Sequence, residues 1–294
     1  MKNPVIIGIT PFERPDVKLA LSLHNANAFP VLHLGRDRAT AADAIQQLAK
    51  KCPEGFGVCL VSDALLDLQL PEQVTLAVLP YGLKPPANKH IKLFYQIHDI
   101  VEARKAHAEG AAGIIVKGNE GAGKVAYESS YVLFQRVVKE FADLEVYIQG
   151  GVGIHTAAGA MALGAAGVIL DSQLVLFPEC SAPENIKRVC EKLSGTETKL
   201  IGNTRVLVRP NSPVLADDAD EKDLEPYFTG LDLEKNLLPL GQDIAIGQDL
   251  ANRYKKIDKL VFGLREAIYG HLRQAKSLDV ISEDNELAKD LGIN

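Results

Sequence analysis

The chain lacks any apolar run approaching the roughly 20 residues that a bilayer-spanning helix needs, so no membrane span is expected. It lacks an excess of positive charge. The net charge is −6, which does not favour a nucleic-acid surface. Cysteine is sparse: Cys52, Cys59, Cys180 and Cys190 sit at spacings that fit no zinc pattern. Reduced thiols in a cytoplasmic protein are the expectation. His24, His33, His90, His98 and His107 are scattered, with no pair at metal-ligand spacing on a helix, so no metal site is expected. No Ser-His-Asp set can be argued from spacing. The opening stretch MKNPVIIGIT runs into a strand without a signal-peptide layout.

What is present is a strand–helix alternation. The chain has 294 residues, 47% hydrophobic and 24% charged, an ordinary soluble composition. Eight short apolar runs recur: VIIGI (5–9), FPVLHL (29–34), FGVCLV (56–61), VTLAVL (74–79), IKLFYQI (91–97), GIIVKG (113–118), VYIQGG (146–151) and GVILDS (167–172). Several are apolar on both faces, as parallel strands covered by helices should be. AADAIQQLAK, HDIVEARKAHAEG, ESSYVLFQRVVKEFA and HTAAGAMALG lie between them and read as helices. This pattern predicts an α/β fold, a (β/α)8 TIM-like barrel with a mainly helical C-terminal extension. An open doubly wound sheet is the alternative. The connections around residues 62–73 and 80–90 are too short or Pro-rich for full helices, so irregularity is expected there.

The texture changes near residue 200, which divides the chain into a barrel over residues 1–200 and an extension over 201–294. NTRVLVRPNSPVLADDADEKDLEP carries three prolines and an acidic cluster, Asp217, Asp218, Asp220, Glu221 and Asp223, read as a solvated loop. Residues 242–256 and 257–279 follow as helices, with Ile257, Leu260, Val261, Leu264, Ile268 and Leu272 at three- and four-residue steps. SEDNELAKDLGIN ends without an obvious cap, and the chain is expected to be a piece of something longer.

Three βα loops at the C-terminal ends of strands carry the candidate chemistry, since that rim is the functional face of such barrels. GNEGAGKV (118–125) meets the phosphate-loop pattern through Gly118, Gly123 and Lys124. The Ser or Thr that would hold Mg²⁺ is replaced by Val125, and about five strands precede the loop rather than one. A triphosphate site is therefore not the reading. QGGVGIH (149–155) and LDSQL (170–174) follow the seventh and eighth strands, where backbone N–H groups commonly build a phosphate site. Gly150, Gly151 and Gly153 permit close approach to an anion or simply make tight turns. His155 begins the following helix and could help bind phosphate.

VKGNEGAGKVAYESSYVLFQ followed by VYIQGGVGIHTAAGAMALGAAGVILDSQL resembles the nitronate monooxygenase and FMN-dependent enoyl-reductase family. The family outline is G-x-E-x-G-G-H-x-G, then a strand with G-G-I, then L-x-x-G-A-x-G-V-x-x-G-T. The matching residues are Gly118, Glu120, Ala122, Gly123 and Lys124; Gly150, Gly151 and Val152; and Leu163, Gly164, Ala165, Gly167 and Val168, with Asp171 and Ser172 at the end. The match covers residues 90 to 180 well and the first strand loosely. EGAGKVAYESS, LDSQL and the segment LLPLGQDIAIGQDLANRY (237–254) are closer to barrels in large polyketide or polyunsaturated-fatty-acid synthases, which carry a beta-ketoacyl synthase. The resemblance implies FMN as cofactor. Gly118, Gly123, Gly150, Gly151, Gly153, Asp171 and Ser172 would be its binding residues, and Lys124 and Glu120 the catalytic pair. It implies as partners an acyl carrier protein or acyl thioester and neighbouring synthase domains.

The chain departs from the family at four points. Lys124 stands where active members have histidine, and Asp171-Ser172 stand for Gly-Thr at the phosphate. Cys59 stands for an asparagine, and Ile9-Thr10-Pro11 for Ala-Pro-Met along the flavin. A carboxylate beside a phosphate dianion is unfavourable unless it points away. Two readings follow: an FMN-dependent reductase of enoyl thioesters drawing hydride from a nicotinamide, or a catalytically degenerate, flavin-free structural or docking barrel in the same synthase.

Overall fold

The computed structural model describes residues 5–278 apart from residues 89, 142 and 214; SEDNELAKDLGIN lies outside the described residues. Twelve strands form: β1 Ile6–Ile9, β2 Phe29–His33, β3 Phe56–Cys59, β4 Val74–Pro80, β5 Lys92–Ile97, β6 Gly113–Lys117, β7 Gly123–Lys124, β8 Val146–Gln149, β9 Gly167–Leu170, β10 Thr198–Ile201, β11 Thr204–Leu207 and β12 Leu238–Pro239. Eight of them, β1 to β6 with β8 and β9, close a parallel barrel. The seam pairs β1 with β9 through Ile7 and Ile169. All eight expected runs are barrel strands, and the open sheet is excluded.

The helices are α1 Val17–Asn25, α2 Arg38–Ala49, α3 Ile100–Ala108, α4 Ser130–Glu140, α5 Ile154–Ala162, α6 Glu184–Cys190, α7 Glu221–Leu224, α8 Ile244–Tyr254 and α9 Ile257–Leu278. As expected from the short connections, only a three-residue helical turn, Asp63–Leu65, follows β3, and among the described residues no helix joins β4 to β5. The barrel interior is packed with Ile7, Val31, Val78, Phe94, Ile115, Tyr147 and Ile169. A second apolar layer joins the wall to the helices.

The extension is not helical throughout. Residues 198–207 form a hairpin, β10 to β11, in full antiparallel register. The other edge of β11 pairs with β12 at Val206 and Leu207 and with β7 at Thr204 and Arg205. The β7 strand lies within the GNEGAGKV turn, so the extension stitches itself to the barrel rim. Its last helix returns to the wall. Ile257, Leu260, Val261, Leu264 and Ile268 are buried in the same apolar layer as Leu19, Leu23, Ala157 and Ala160. α9 therefore packs between α1 and α5 and takes the position of an eighth barrel helix. The acidic cluster is largely exposed.

Candidate functional site

The mouth of the barrel is built from one residue within one position of the end of each strand: Thr10, His33, Cys59, Pro80, Gln96, Lys117, Gln149 and Asp171. Parallel strands end at a common rim, so these side chains converge by topology alone. Six of them, all but Cys59 and Pro80, are polar where the layer beneath is apolar. Gln96 Nε2 donates to Gln149 Oε1 at 2.8 Å, and Gln149 Nε2 donates to Asp171 Oδ2 at 2.7 Å. The Asp171 Oδ1 accepts from Ser172 N at 2.6 Å. His33 N donates to Thr10 Oγ1 at 2.8 Å, and His33 Nδ1 accepts from Gly35 N at 3.1 Å.

Electrostatics at the mouth follow from burial and close charge. Burial alone would raise the Glu13 pKa, but the charges of Arg36 and Lys117 and the Arg36 hydrogen bond outweigh it and hold it below the ordinary value. Arg36 Nη1 lies 2.5 Å from Glu13 Oε2. Burial depresses His33 to about 4, with Glu13 opposing and Arg36 and Lys117 adding, so the ring is neutral. Burial pushes the Cys59 thiol up to about 12, with Lys117 opposing; it is not a thiolate nucleophile.

Gly118 follows β6, and a Cβ built there would lie 2.0 Å from Ser130 N. Glu120 turns away from the mouth. Its carboxylate accepts from Ser130 N at 3.1 Å and from Ser130 Oγ at 3.0 Å, which ties the turn to the start of α4. Gly123 takes φ +68° inside β7. Lys124 is half-buried and lines the mouth cavity. Gly150 and Gly151 take φ +103° and +65° and lie beside Glu120 and Gly121. Gly153 caps α5, its N–H donating to Thr156 Oγ1 at 2.7 Å. His155 is exposed. Lys124, Asp171 and Ser172 thus share one cavity, while Glu120, Gly150 and Gly151 meet one layer above it.

Sequence reasoning missed Asp243, Lys117, Glu13, His33, Gln149 and Gln173. For Lys117 a signal existed: a lysine closing the otherwise apolar GIIVKG run at a strand's C-terminal end. For Asp243 the GQD segment was visible, but nothing local says where it goes. It goes to the glycine turn after β8. Gln242 N donates to Glu120 O at 2.8 Å, and Gly241 N donates to Ser172 Oγ at 3.0 Å. Asp243 is 1% exposed. Its Oδ2 accepts from Gln173 Nε2 at 2.9 Å. Its Oδ1 has no partner in full hydrogen-bond geometry, although the Gly151 N–H and the Ser172 hydroxyl lie close enough to favour the anion. Burial and the neighbouring Asp171 and Glu120 win against them, and the pKa rises well above the ordinary carboxylate value. Asp243 thus sits in the cradle that Gly150–Gly153 and Asp171–Ser172 form, where the neutral acid is favoured over the anion.

No family model matches the chain. A nitronate monooxygenase from Neurospora crassa is 32% identical over 106 residues, 33% of this chain and 28% of that protein. A (3aS,4S,5R,7aS)-5-hydroxy-7a-methyl-1-oxo-octahydro-1H-indene-4-carboxyl-CoA dehydrogenase from Rhodococcus jostii is 30% identical over 145 residues, 45% of this chain and 40% of that protein. Among solved structures, FabK from Thermotoga maritima superposes with TM-score 0.76 at 18% identity, covering 95% of this chain and 96% of that one. The enoyl reductase domain of MlnA from the macrolactin biosynthesis cluster of Bacillus amyloliquefaciens does so with TM-score 0.70 at 12% identity, covering 93% and 96%. The barrel shares its fold with FabK and the MlnA enoyl reductase domain, and part of its sequence with a nitronate monooxygenase and a carboxyl-CoA dehydrogenase. The matched segments span less than half the length of the curated relatives.

The resemblance to nitronate monooxygenases implies FMN, and the residues present can be tested against that group. The cradle where a flavin phosphate would sit is filled by the chain itself. Asp243 occupies it, and Ile246 closes its side, 2.9 Å from where a Cβ on Gly153 would be. The mouth cavity below measures about 40 Å³, against the roughly 300–1,000 Å³ of ordinary ligand pockets. Asp171, which would face the phosphate, is held inward by Gln149. In this arrangement the residues do not fit a flavin. Among the described residues no group of three or more His, Cys, Asp or Glu could hold a metal ion. No helix there is long and apolar enough to cross a membrane.

Proposed function

We propose that this chain is a flavin-free member of the nitronate monooxygenase-type barrels, serving as a structural or docking module beside acyl-thioester chemistry in a fatty-acid or polyketide synthase of the cytoplasm. The observation that carries this reading is Asp243, 1% exposed and seated among Gly151, Ser172 and Gln173. A cradle occupied by a side chain of its own chain has no vacancy for a phosphate group. Three departures agree. Lysine at 124 is a poor proton-transfer group near neutral pH unless burial lowers its pKa. Cys59 is a buried thiol. Asp171 adds negative charge where a phosphate dianion would need donors. The synthase setting is supported by the resemblance of residues 237–254 to a linking segment. The partners would then be an acyl carrier protein, an acyl thioester or adjacent synthase domains.

The competing reading is an FMN-dependent reductase of enoyl thioesters. Lys124 favours it, because this side chain lines the mouth where a substrate carbonyl would need a positive group. A steady-state assay separates the two. Purified chain is given crotonyl thioester or a nitronate, with FMN added and NADH and NADPH tried in turn. The flavin-free reading expects no turnover above the rate without protein. Turnover that saturates with substrate and scales with protein supports the reductase and overturns the proposal.

A further inference from the structure

The outer face of α9 is left uncovered. Phe262 is 64% exposed and Tyr269 51% exposed. They lie seven residues apart on this one helix, which is two turns, so both rings stand on one stripe. The opposite stripe, which includes Leu260, Leu264 and Ile268, is the one buried against the barrel. α9 also outruns its neighbours: it has 22 residues, against nine in α1 and nine in α5. Ile268 is its last core residue among the described side chains, and the helix runs on to Leu278. A Cβ built on Gly270 would meet nothing within 4 Å. Exposed aromatic rings grouped on one face are a feature of association surfaces.

The charges on this stripe complement the stripe itself. Asp258 and Glu266 are exposed, and Arg265 is partly so at its edge. Arg265 Nη2 donates to Asn27 O, which steadies a guanidinium with further N–H donors to give. A twofold axis through the midpoint between Arg265 and Glu266 sets a second α9 antiparallel to the first. Helical spacing then places Phe262 opposite the partner's Tyr269, Glu266 opposite the partner's Arg265 and Asp258 opposite the partner's Arg273. Each of these meetings occurs twice. Parallel pairing in register would instead set Glu266 on Glu266 and Arg265 on Arg265, which repel.

We propose that α9 pairs antiparallel with α9 of a second copy of this chain, through Phe262 and Tyr269 flanked by reciprocal Glu266–Arg265 ion pairs. The inference is independent of what the barrel mouth binds. A contact one helix wide falls short of the roughly 1,200–2,000 Å² of a standard interface, so a dissociation constant on the order of 100 µM is expected.

Sedimentation velocity of the full chain from about 5 µM to 1 mM reads the equilibrium, and a concentration-dependent shift from monomer to dimer is the expected result. A Phe262→Ser, Tyr269→Ser double variant should stay monomeric over the same range. Its melting temperature at low concentration should match the parent's, because both rings are exposed. Disulfide trapping with oxidised glutathione tests the register. In the antiparallel pair like positions lie about 10 Å apart along the axis, and the Cα atoms of a disulfide come within about 7 Å. Phe262→Cys alone and Tyr269→Cys alone should therefore trap little dimer, whereas the two mixed should trap the heterodimer. Cys52, Cys59, Cys180 and Cys190 are buried and do not compete. Monomer mass through 1 mM overturns the proposal, as does a dimer that survives the double serine variant. Trapping of each cysteine variant with itself in preference to the mixture overturns it too.

Discussion

The two glycine-rich turns at the rim look alike in sequence but are closed by different means. The 118–124 turn is closed by backbone. Lys124 and Gly123 pair with Thr204 and Arg205, Val125 N donates to Asn203 O at 2.8 Å, and Gln242 N donates to Glu120 O at 2.8 Å. The 150–153 turn is closed by side chains, Asp243 below and Ile246 beside it. The glycines differ accordingly. Gly118 is required by contact, since a Cβ would meet Ser130 N at 2.0 Å. Gly151 is required by conformation, with φ +65° and no atom nearer than 3.8 Å to a built Cβ. A glycine pattern therefore reports a tight backbone, and the ligand it serves is set by segments far away in the chain.

The sharpest way to break this comparison is to add one methyl group to each turn. Gly118→Ala drives a carbon into the backbone of α4, which has no rotamer escape. A loss above about 4 kcal/mol is expected, read as insoluble protein or a fall in melting temperature of roughly 10 °C or more. Gly151→Ala adds only left-handed strain, about 1–2 kcal/mol. Equal losses at the two sites would show that the turns do not differ in this way.

Glu120 links the turns, so its removal comes next. Its carboxylate accepts from Ser130 N and Oγ. Glu120→Ala should cost about 2–3 kcal/mol by leaving partly buried donors unserved, measured by denaturant unfolding. Glu120→Gln should recover part of it. A Glu120→Ala chain as stable as the parent would remove this carboxylate from the account.

The closure by Asp243 has a pH signature, and the sign is fixed by its raised pKa. The folded chain keeps a proton that the unfolded chain releases near pH 4. The contribution is complete below that value and is lost as pH rises through the folded pKa. Asp243→Asn keeps the shape of the acid without the titration. It should be more stable than the parent at alkaline pH and flatten the alkaline side of the stability curve. His33 works in the other direction. Its folded pKa of about 4 lies below the ordinary 6.5. Its contribution is complete above 6.5 and is lost as pH falls toward 4, by up to about 3 kcal/mol. An Asp243→Asn chain with the parent's alkaline slope would mean that Asp243 is not protonated in the folded state.

The smallest expected effect is at Lys124. It is half-buried and pairs with Thr204 through its backbone alone, so Lys124→Ala should change stability by less than about 0.5 kcal/mol. A loss of several kcal/mol would show that its side chain holds the hairpin.

How far the sequence reached can be seen residue by residue. The eight barrel strands were legible because each run is apolar on both faces, which a helix-covered parallel strand demands. The missing helix between β4 and β5 was legible from Pro80, Pro85 and Pro86. The placement of Lys124 on the mouth was legible because strand ends define the rim. The hairpin of residues 198–207 was hidden: TKLIGNTRVL is short and sits beside proline-rich loop sequence, and its partner β7 lies some 80 residues earlier. Asp243 was hidden for a similar reason. Its environment comes from Gly151, Asp171, Ser172 and Gln173, and no local pattern in GQDIAIGQ encodes residues 70 to 92 positions away.

The central claim is that the chain fills its own cofactor cradle, and equilibrium titration of the purified parent with FMN tests it most directly. The account predicts a colourless protein and unquenched FMN fluorescence up to high micromolar protein. Stoichiometric quenching, or a yellow protein that keeps its flavin through gel filtration, would contradict it.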